Sequence, residues 1–401
     1  MQTVDFSKML LNRSAAKEAA FFDSFEQRQQ IRAKRHQVGW PDAWNRLLQF
    51  GLNPQGSCPD LSEIGTTWLG GFYTMEALHP FVSQEIAKIG GTKKFLPEAW
   101  QACVVEPEQS LVGIPWTLDI RIVLYRRDWL QKAGIEEATA FNDAEHFRQT
   151  LRGLRDAGHP APLGLTTRQT VTRMLHDMAC WVWDARGEIR SNDGQKMLLA
   201  QPESFAGLEA YFGLNEFLDP ERQGQEEPDV LRSFMTGKTA VAVVSDLNYF
   251  WLKMSETSEV TENLGVARLM KVPFLGGTAL AIWRYSTHVD AALKLIEYLT
   301  SIEAGQVLYE QYLTTPANLE AIAQSTLAQD PFYPIIRKSL LTGRSFHSGY
   351  RWAGVEARLI PVIEQFWQGL RANPKLEIAR EVEKRFSKLC TRLEQTILSA
   401  N

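Results

Sequence analysis

Apolar positions along this chain follow two alternating rhythms: helical runs that space them three or four residues apart, and short β-branched runs in between. The alternation persists for the whole length, which predicts an α/β fold rather than separate all-α and all-β blocks. Ser14 precedes an Ala-rich stretch, Ala15 to Gln30, in which Ala15, Ala19, Phe22 and Phe25 recur at helical spacing. Ile31 to Val38 then reads as a strand. Gly39-Trp40-Pro41-Asp42 closes it before a second helix carrying Trp44, Leu47 and Leu48, giving a βαβ-like opening. Further on, Asp119 to Tyr125 is a β-branched strand, and Arg127 to Ala133 returns to helix with Gly134 as its stop. The polar tract Leu218 to Asp229 predicts a surface loop, Val230 to Met235 a helix and Thr239 to Val244 a strand. Gly276 and Gly277 introduce a strand over Thr278 to Trp283. The helix Val289 to Ser301 follows, with Ala292, Leu295, Ile296 and Leu299 on one face, and the C-terminal stretch is mostly helical.

Length changes this picture by dividing it: 401 residues exceed what one hydrophobic core comfortably serves, so two packed units are expected. Charge narrows the partners. Forty-three Lys and Arg stand against 47 Asp and Glu, a formal net charge of −4. With no block of five or more like charges, the basic field that nucleic acid requires is missing. Apolar runs such as Thr239 to Val244 fall far short of the roughly 18 residues a membrane helix needs. Met1 to Leu11 carries one Lys and no sustained apolar core, so it is not read as a secretory signal; either a leader lies outside this chain or the protein is cytoplasmic. Cys58, Cys103, Cys180 and Cys390 lie far apart without metal-like spacing and are expected to be buried free thiols.

Local motifs give catalysis little support. Gly237-Lys238-Thr239 resembles the end of a phosphate-cradling loop, but Arg232 occupies the position where that loop needs glycine. Its order is also reversed, helix before and strand after, so a simple turn is expected. No GxSxG, HExxH or GxGxxG occurs, and the seven histidines form no ligand-like pairs, so neither a metal nor a cofactor is expected. A glycosidase-type carboxylate pair carries no sequence spacing, and Asp119 and Asp246 are its candidates. Asn12-Arg13-Ser14 matches a glycosylation acceptor, a triplet that arises often by chance. Twelve tryptophans are the informative excess, because a flat apolar ring with one donor suits stacking on the CH face of a sugar. Trp40, Trp68 and Trp116 sit beside Gly, Thr or Pro at predicted strand ends, where open α/β sheets present their ligands. Trp100, Trp129, Trp283 and Trp367 lie inside helical or strand patterns and read as structural.

Several segments, in order along the chain, resemble the extracytoplasmic sugar-binding proteins of bacterial ABC importers, the maltose- and trehalose-binding group. They begin with Gly39-Trp40-Pro41-Asp42-Ala43-Trp44 and Cys58 to Leu69. The most specific is Gly113-Ile114-Pro115-Trp116-Thr117-Leu118-Asp119-Ile120-Arg121, continued by Leu124 to Asp128 and Lys132 to Ile135. Phe234 to Ser245, Gly276 to Ile282, His288 to Ala304 and Thr314 to Asn318 keep the family's order. The resemblance implies a two-lobed periplasmic-binding-protein fold of type II, each lobe a doubly wound sheet flanked by helices. The N-terminal lobe would be residues 1–118 with 276–328, and the C-terminal lobe 119–275 with 329–401. Hinges are expected near 115–121, 273–278 and 325–332. Where the family often carries Trp after its Gly-Lys strand and after its paired Gly, this chain has Asn248 and Thr278.

The implied function is non-enzymatic binding of a sugar or oligosaccharide in a cleft between lobes, for delivery to the membrane subunits of an ABC importer. Trp40, Thr66, Thr67 and Trp68 would contribute from the N-terminal lobe, with Trp116, Asp119 and Arg121 at the crossover. Asp246, Asn248 and Tyr249 would contribute from the C-terminal lobe. Gly276, Gly277 and Thr278 would line the hinge, and Arg351 would approach from the last helical segment. Carboxylate and guanidinium groups suit sugar hydroxyls, and Asp119 and Arg121, two apart on a strand, would share a face or form a structural ion pair. A periplasmic or extracellular, membrane-associated monomer is expected. The alternatives are a cytoplasmic or tethered sensor, a binder of another polar solute such as a polyol or phosphodiester, and a carbohydrate-active enzyme.

Overall fold

The computed structural model describes residues 1–9, 15–52, 58–106, 108–168, 172–191, 193–221, 224–255, 258–346, 349 and 351–398. Asn12-Arg13-Ser14 lies outside them. The chain forms two compact units, the first of Met1–Asp119, Leu275–Tyr333 and Ser345–Ala353, the second of Ile120–Phe274, Pro334–Arg344 and Gly354–Asn401. Ser345–Ala353 falls in unit 1, not in the second lobe to which the sequence assigned it. The reason is local: Ser345 donates its backbone N–H to the Glu98 carboxylate (2.7 Å) and its hydroxyl to the Leu275 carbonyl (2.6 Å).

Strands are numbered along the chain: β1 (Gln2–Lys8), β2 (Ile31–Gln37), β3 (Leu61–Gly65), β4 (Val104–Val105), β5 (Ser110–Leu111), β6 (Ile114–Arg126), β7 (Leu163–Gly164), β8 (Val241–Ser245), β9 (Leu264–Arg268), β10 (Leu275–Ile282) and β11 (Thr315–Pro316). In unit 1 the sheet runs β2-β1-β3-β10-β6, with β11 also on β6. β1 is parallel to β2 and β3, and β10 is antiparallel to β3. The helix Ala15–Gln29 is the crossover that parallel β1 and β2 require. It buries Glu18 with Phe22 and Phe25 and leaves Ala15 exposed, because Glu18 pairs with the buried ammonium of Lys8. Trp40 and Pro41, read from sequence as a closing turn, instead begin the helix Trp40–Leu52, where proline's fixed φ suits a first turn.

Gly276 and Gly277 also differ from expectation: they lie within β10 rather than before it. Gly277 has φ 145°, and a Cβ there would sit 1.9 Å from the Thr117 carbonyl oxygen. Glycine is what lets β10 approach β6 this closely, and the Thr117 and Thr278 hydroxyls then hydrogen-bond at 2.7 Å.

In unit 2, β6 is antiparallel to both β8 and β9, and β7 is parallel to β8. Helix Glu227–Met235 starts inside the tract read as loop, with Pro228 in its first turn. It ends at Gly237, where φ is +69° and Gly237 and Lys238 donate N–H bonds to the Phe234 and Ser233 carbonyls. The Gly-Lys pair is therefore a turn. The helix Arg173–Asp184 is apolar through Met174, Leu175, Met178 and Trp181 yet carries Asp177, fully buried. Its partner is Arg121 of β6, also fully buried, whose Nε donates to Asp177 at 2.7 Å. His176 stacks on Phe274 with ring centroids 3.8 Å apart. Burial, reinforced by the charges of Arg173 and Arg121, holds its imidazole well below the ordinary histidine range.

Cys103, Cys180 and Cys390 are buried, whereas Cys58 is half-buried just before β3. Trp283 and Trp367 are fully buried, Trp100 stacks on Phe95, and Trp129 packs edge-on against His159. Among the described residues no helix is long and apolar enough to cross a membrane.

Gly277→Ala should lower stability by about 2–3 kcal/mol in urea unfolding, since the new methyl meets backbone. Gly213→Ala, where nothing lies within 4 Å, should be neutral or slightly stabilising. Arg121→Met, which strands the Asp177 charge, should cost about 3–5 kcal/mol in the same assay, and adding Asp177→Leu should recover most of it. For His176 the unfolded chain takes up a proton near pH 6.5 and the native state does not, so stability falls as pH drops below about 6.5. The difference in melting temperature between wild type and His176→Phe should therefore change between about pH 7 and 5; a constant difference would deny His176 that role.

Candidate functional site

The carboxyl ends of β1, β2 and β3, where an open α/β sheet presents ligand, carry an aromatic cluster in unit 1. Trp40 follows β2 and Trp68 follows β3, with ring centroids 5.9 Å apart; Trp44 lies 5.6 Å from Trp68 and 5.3 Å from Phe72. All three tryptophans keep part of their surface exposed. Local sequence explains the geometry. Gly65 ends β3, and the Trp68 ring lies over it, 3.4 Å from where a Cβ would stand. Thr66, Thr67 and Trp68 then form a 3-10 turn leading into the helix Leu69–Thr74, with both threonines buried. Thr278 of β10 is paired with Gly65, so Thr278 adjoins the same strand end. The structure thus brings Trp40, Thr66, Thr67, Trp68 and Thr278 together.

Trp116 is placed elsewhere. Its side chain is 5% exposed, packs edge-on against Phe6 at 5.8 Å, and shares a pocket with Phe21, Phe22, Leu308 and Tyr312 under the sheet. It is a core residue in this arrangement, and Trp44, which the sequence placed in a packing helix, takes its place in the aromatic group. Asp119 is half-buried at the end of unit 1's share of β6, and Arg351 is half-buried in the turn before the helix Trp352–Ala372. Gly276 and Gly277 are half-buried in β10.

In unit 2 the candidate residues surround the carboxyl end of β8. Asp246 is buried and accepts the Ile120 N–H at 3.3 Å. Tyr249 is buried against Phe250. Arg121 bonds Asp177 and, through Nη1, Glu227 at 2.6 Å, so its guanidinium serves the unit 2 core. Asn248 is half-buried and donates its Nδ2 to Glu227 at 2.5 Å. One turn further along the helix Asp246–Lys253, Trp251 is 60% exposed, flanked by exposed Leu247 and Met254. Next to Asn248, where the family pattern often carries Trp, Trp251 offers a ring to solvent, whereas Tyr249 and Phe250 are buried.

Glu227, Asp177 and Arg173 went unremarked in the sequence. Glu227 gathers Arg121, Arg173 (3.6 Å), the Ser245 N–H (3.3 Å) and Asn248. Burial pushes its carboxyl up, but the charges and hydrogen bonds of Arg121, Arg173 and Ser245 outweigh that and hold it below the ordinary carboxylate range. The available signal was Arg121 amid the apolar run Ile120 to Tyr125 of β6 and Asp177 within the buried stretch Met174 to Trp183 of its helix.

Known proteins share this architecture. The sugar-binding protein MalE of Xanthomonas citri superposes with a TM-score of 0.82 at 19% identity, covering 100% of both chains. An ABC transporter solute-binding protein of Thermotoga lettingae, solved with α-D-tagatose, gives 0.80 at 18% identity over 98% of this chain and 99% of that one. In sequence, a maltooligosaccharide ABC transporter solute-binding lipoprotein of Streptococcus pneumoniae is 25% identical over 291 residues, 70% of this chain. The chain spans less than two thirds of the length of the curated relatives it matches, 65% in this case. A sequence profile described as bacterial extracellular solute-binding protein matches residues 20–335. That match takes in most of the chain and the greater part of each unit, and by it the protein belongs to the bacterial extracellular solute-binding proteins, a family of binders rather than enzymes.

Proposed function

We propose that this solute-binding protein takes a sugar or oligosaccharide, on the extracellular side of a bacterial membrane, and delivers it to the membrane subunits of an ABC importer. The observation that carries the proposal is the Trp40–Trp44–Trp68 cluster at the carboxyl ends of unit 1's parallel strands, still part-exposed after packing on one another. Aromatic faces of this kind suit the CH faces of pyranose rings, and the neighbouring Thr66, Thr67 and Thr278 hydroxyls suit sugar hydroxyls. Unit 2 offers the same pairing on one helix, the Asn248 amide with the exposed Trp251 ring. The sugar ligands named for the relatives support the same class. The protein acts as a monomer, and binding selects the conformation that completes its contacts with the ligand.

Isothermal titration with a series of maltooligosaccharides should give saturable heat, and chromatography of the mixtures should show no new products. Trp68→Ala and Trp40→Ala should each weaken binding at least about tenfold, or about 1.4 kcal/mol. Trp116→Ala should instead cost about 3–5 kcal/mol of stability and leave the affinity of the folded protein within about threefold. Unchanged affinity in both Trp68→Ala and Trp40→Ala would remove this site.

A further inference from the structure

Asn248 is the one candidate polar group in unit 2 that is both partly exposed and tied to a buried charge. A side-chain amide has two faces of opposite character, an NH2 that donates and an oxygen that accepts. Glu227, ionised between Arg121 and Arg173, only accepts. It therefore draws the Asn248 NH2 inward at 2.5 Å and turns Oδ1 away, and Oδ1 makes no hydrogen bond among the described residues. Glu227 cannot easily yield that position, because one of its oxygens accepts from Arg121 at 2.6 Å and the other from the Ser245 N–H at 3.3 Å.

We infer that Glu227 is a positioning residue, which fixes the Asn248 amide so that unit 2 presents a hydrogen-bond acceptor, and not a donor, to a hydroxyl group of the sugar. The inference deepens the sugar-binding function proposed above and rests on it. It makes the contact selective in chemistry: a hydroxyl that donates at this point is accepted, and a deoxy or O-methyl sugar at the same point is penalised.

The substitution Glu227→Gln reverses the polarity. The oxygen of the introduced amide stays with the Arg121 donors, its NH2 faces Asn248, and the Asn248 amide turns its own NH2 outward. Adding Asn248→Asp restores an outward acceptor, since one carboxylate oxygen takes the introduced NH2 and the other faces the ligand. Titration with maltotriose should show E227Q about tenfold weaker than wild type and the E227Q/N248D pair back within about threefold. N248L, which leaves the Glu227 ion pairs in place, should bind about tenfold more weakly with the melting temperature little changed. Wild-type affinity in folded E227Q or in N248L, or a double variant no better than E227Q, would overturn the positioning role. If E227Q fails to fold, E227D keeps the charge beside Arg121 but withdraws the carboxylate from Asn248 by one methylene. It should bind about tenfold more weakly, and wild-type affinity in E227D would overturn the role. If wild type itself binds neither maltotriose nor any other sugar, sugar binding fails, and this inference fails with it.

Discussion

Arg121 stands in the middle of a strand whose neighbours are apolar, and its guanidinium is completely removed from water. An isolated charge in that position is prohibitively costly, so the surroundings must neutralise it and saturate its donors. Asp177 does this from the buried face of the helix Arg173–Asp184, and Glu227 does it from the first turn of another. The consequences reach the surface. Glu227 also receives the last N–H of β8, that of Ser245, and the Asn248 amide, so the start of the helix Asp246–Lys253 is fixed to the same charge. A structural ion cluster thereby sets the orientation of a group on the surface proposed to meet solute. This is how a core without catalytic machinery can impose chemical selectivity on a binding surface.

Unit 1 reaches a comparable result with steric means. Gly277 lets β10 and β6 approach until a Cβ could not fit, and the Trp68 ring packs over Gly65 at the end of β3. Thr278, next to Gly277, is paired with Gly65, so the closely packed strands adjoin the strand end that carries the aromatic group. The tryptophans that complete it come from the two segments that follow β2 and β3. A doubly wound sheet places such segments side by side whatever their separation in sequence.

Much of this was legible in the chain. Helix Val289–Leu299, the stop at Gly134 and the turn at Gly237 follow from periodicity and glycine placement. The segment Gly113 to Arg121 carried the family resemblance that the sequence profile bears out. The side on which Trp116 would fall was not legible. β6 is buried along nearly its whole length, so alternation of polar and apolar residues, which tells one face of a strand from the other, is lost there. Glu227 was hidden for another reason: Pro, Glu and Gln around it read as solvated loop, and only tertiary contact with Arg121 shows that its side chain is mostly buried. Gly276 and Gly277 read as the lead-in to a strand, not as part of it, because a glycine pair signals backbone freedom without saying whether the chain uses it to bend or to let another strand come close.

The most direct measurement is mass spectrometry of small molecules released when the protein, isolated from bacterial cells without added sugar and without refolding, is denatured. A hexose-based mono- or oligosaccharide at close to one per chain is expected. A non-carbohydrate molecule at that stoichiometry would refute sugar binding while leaving the solute-binding fold intact.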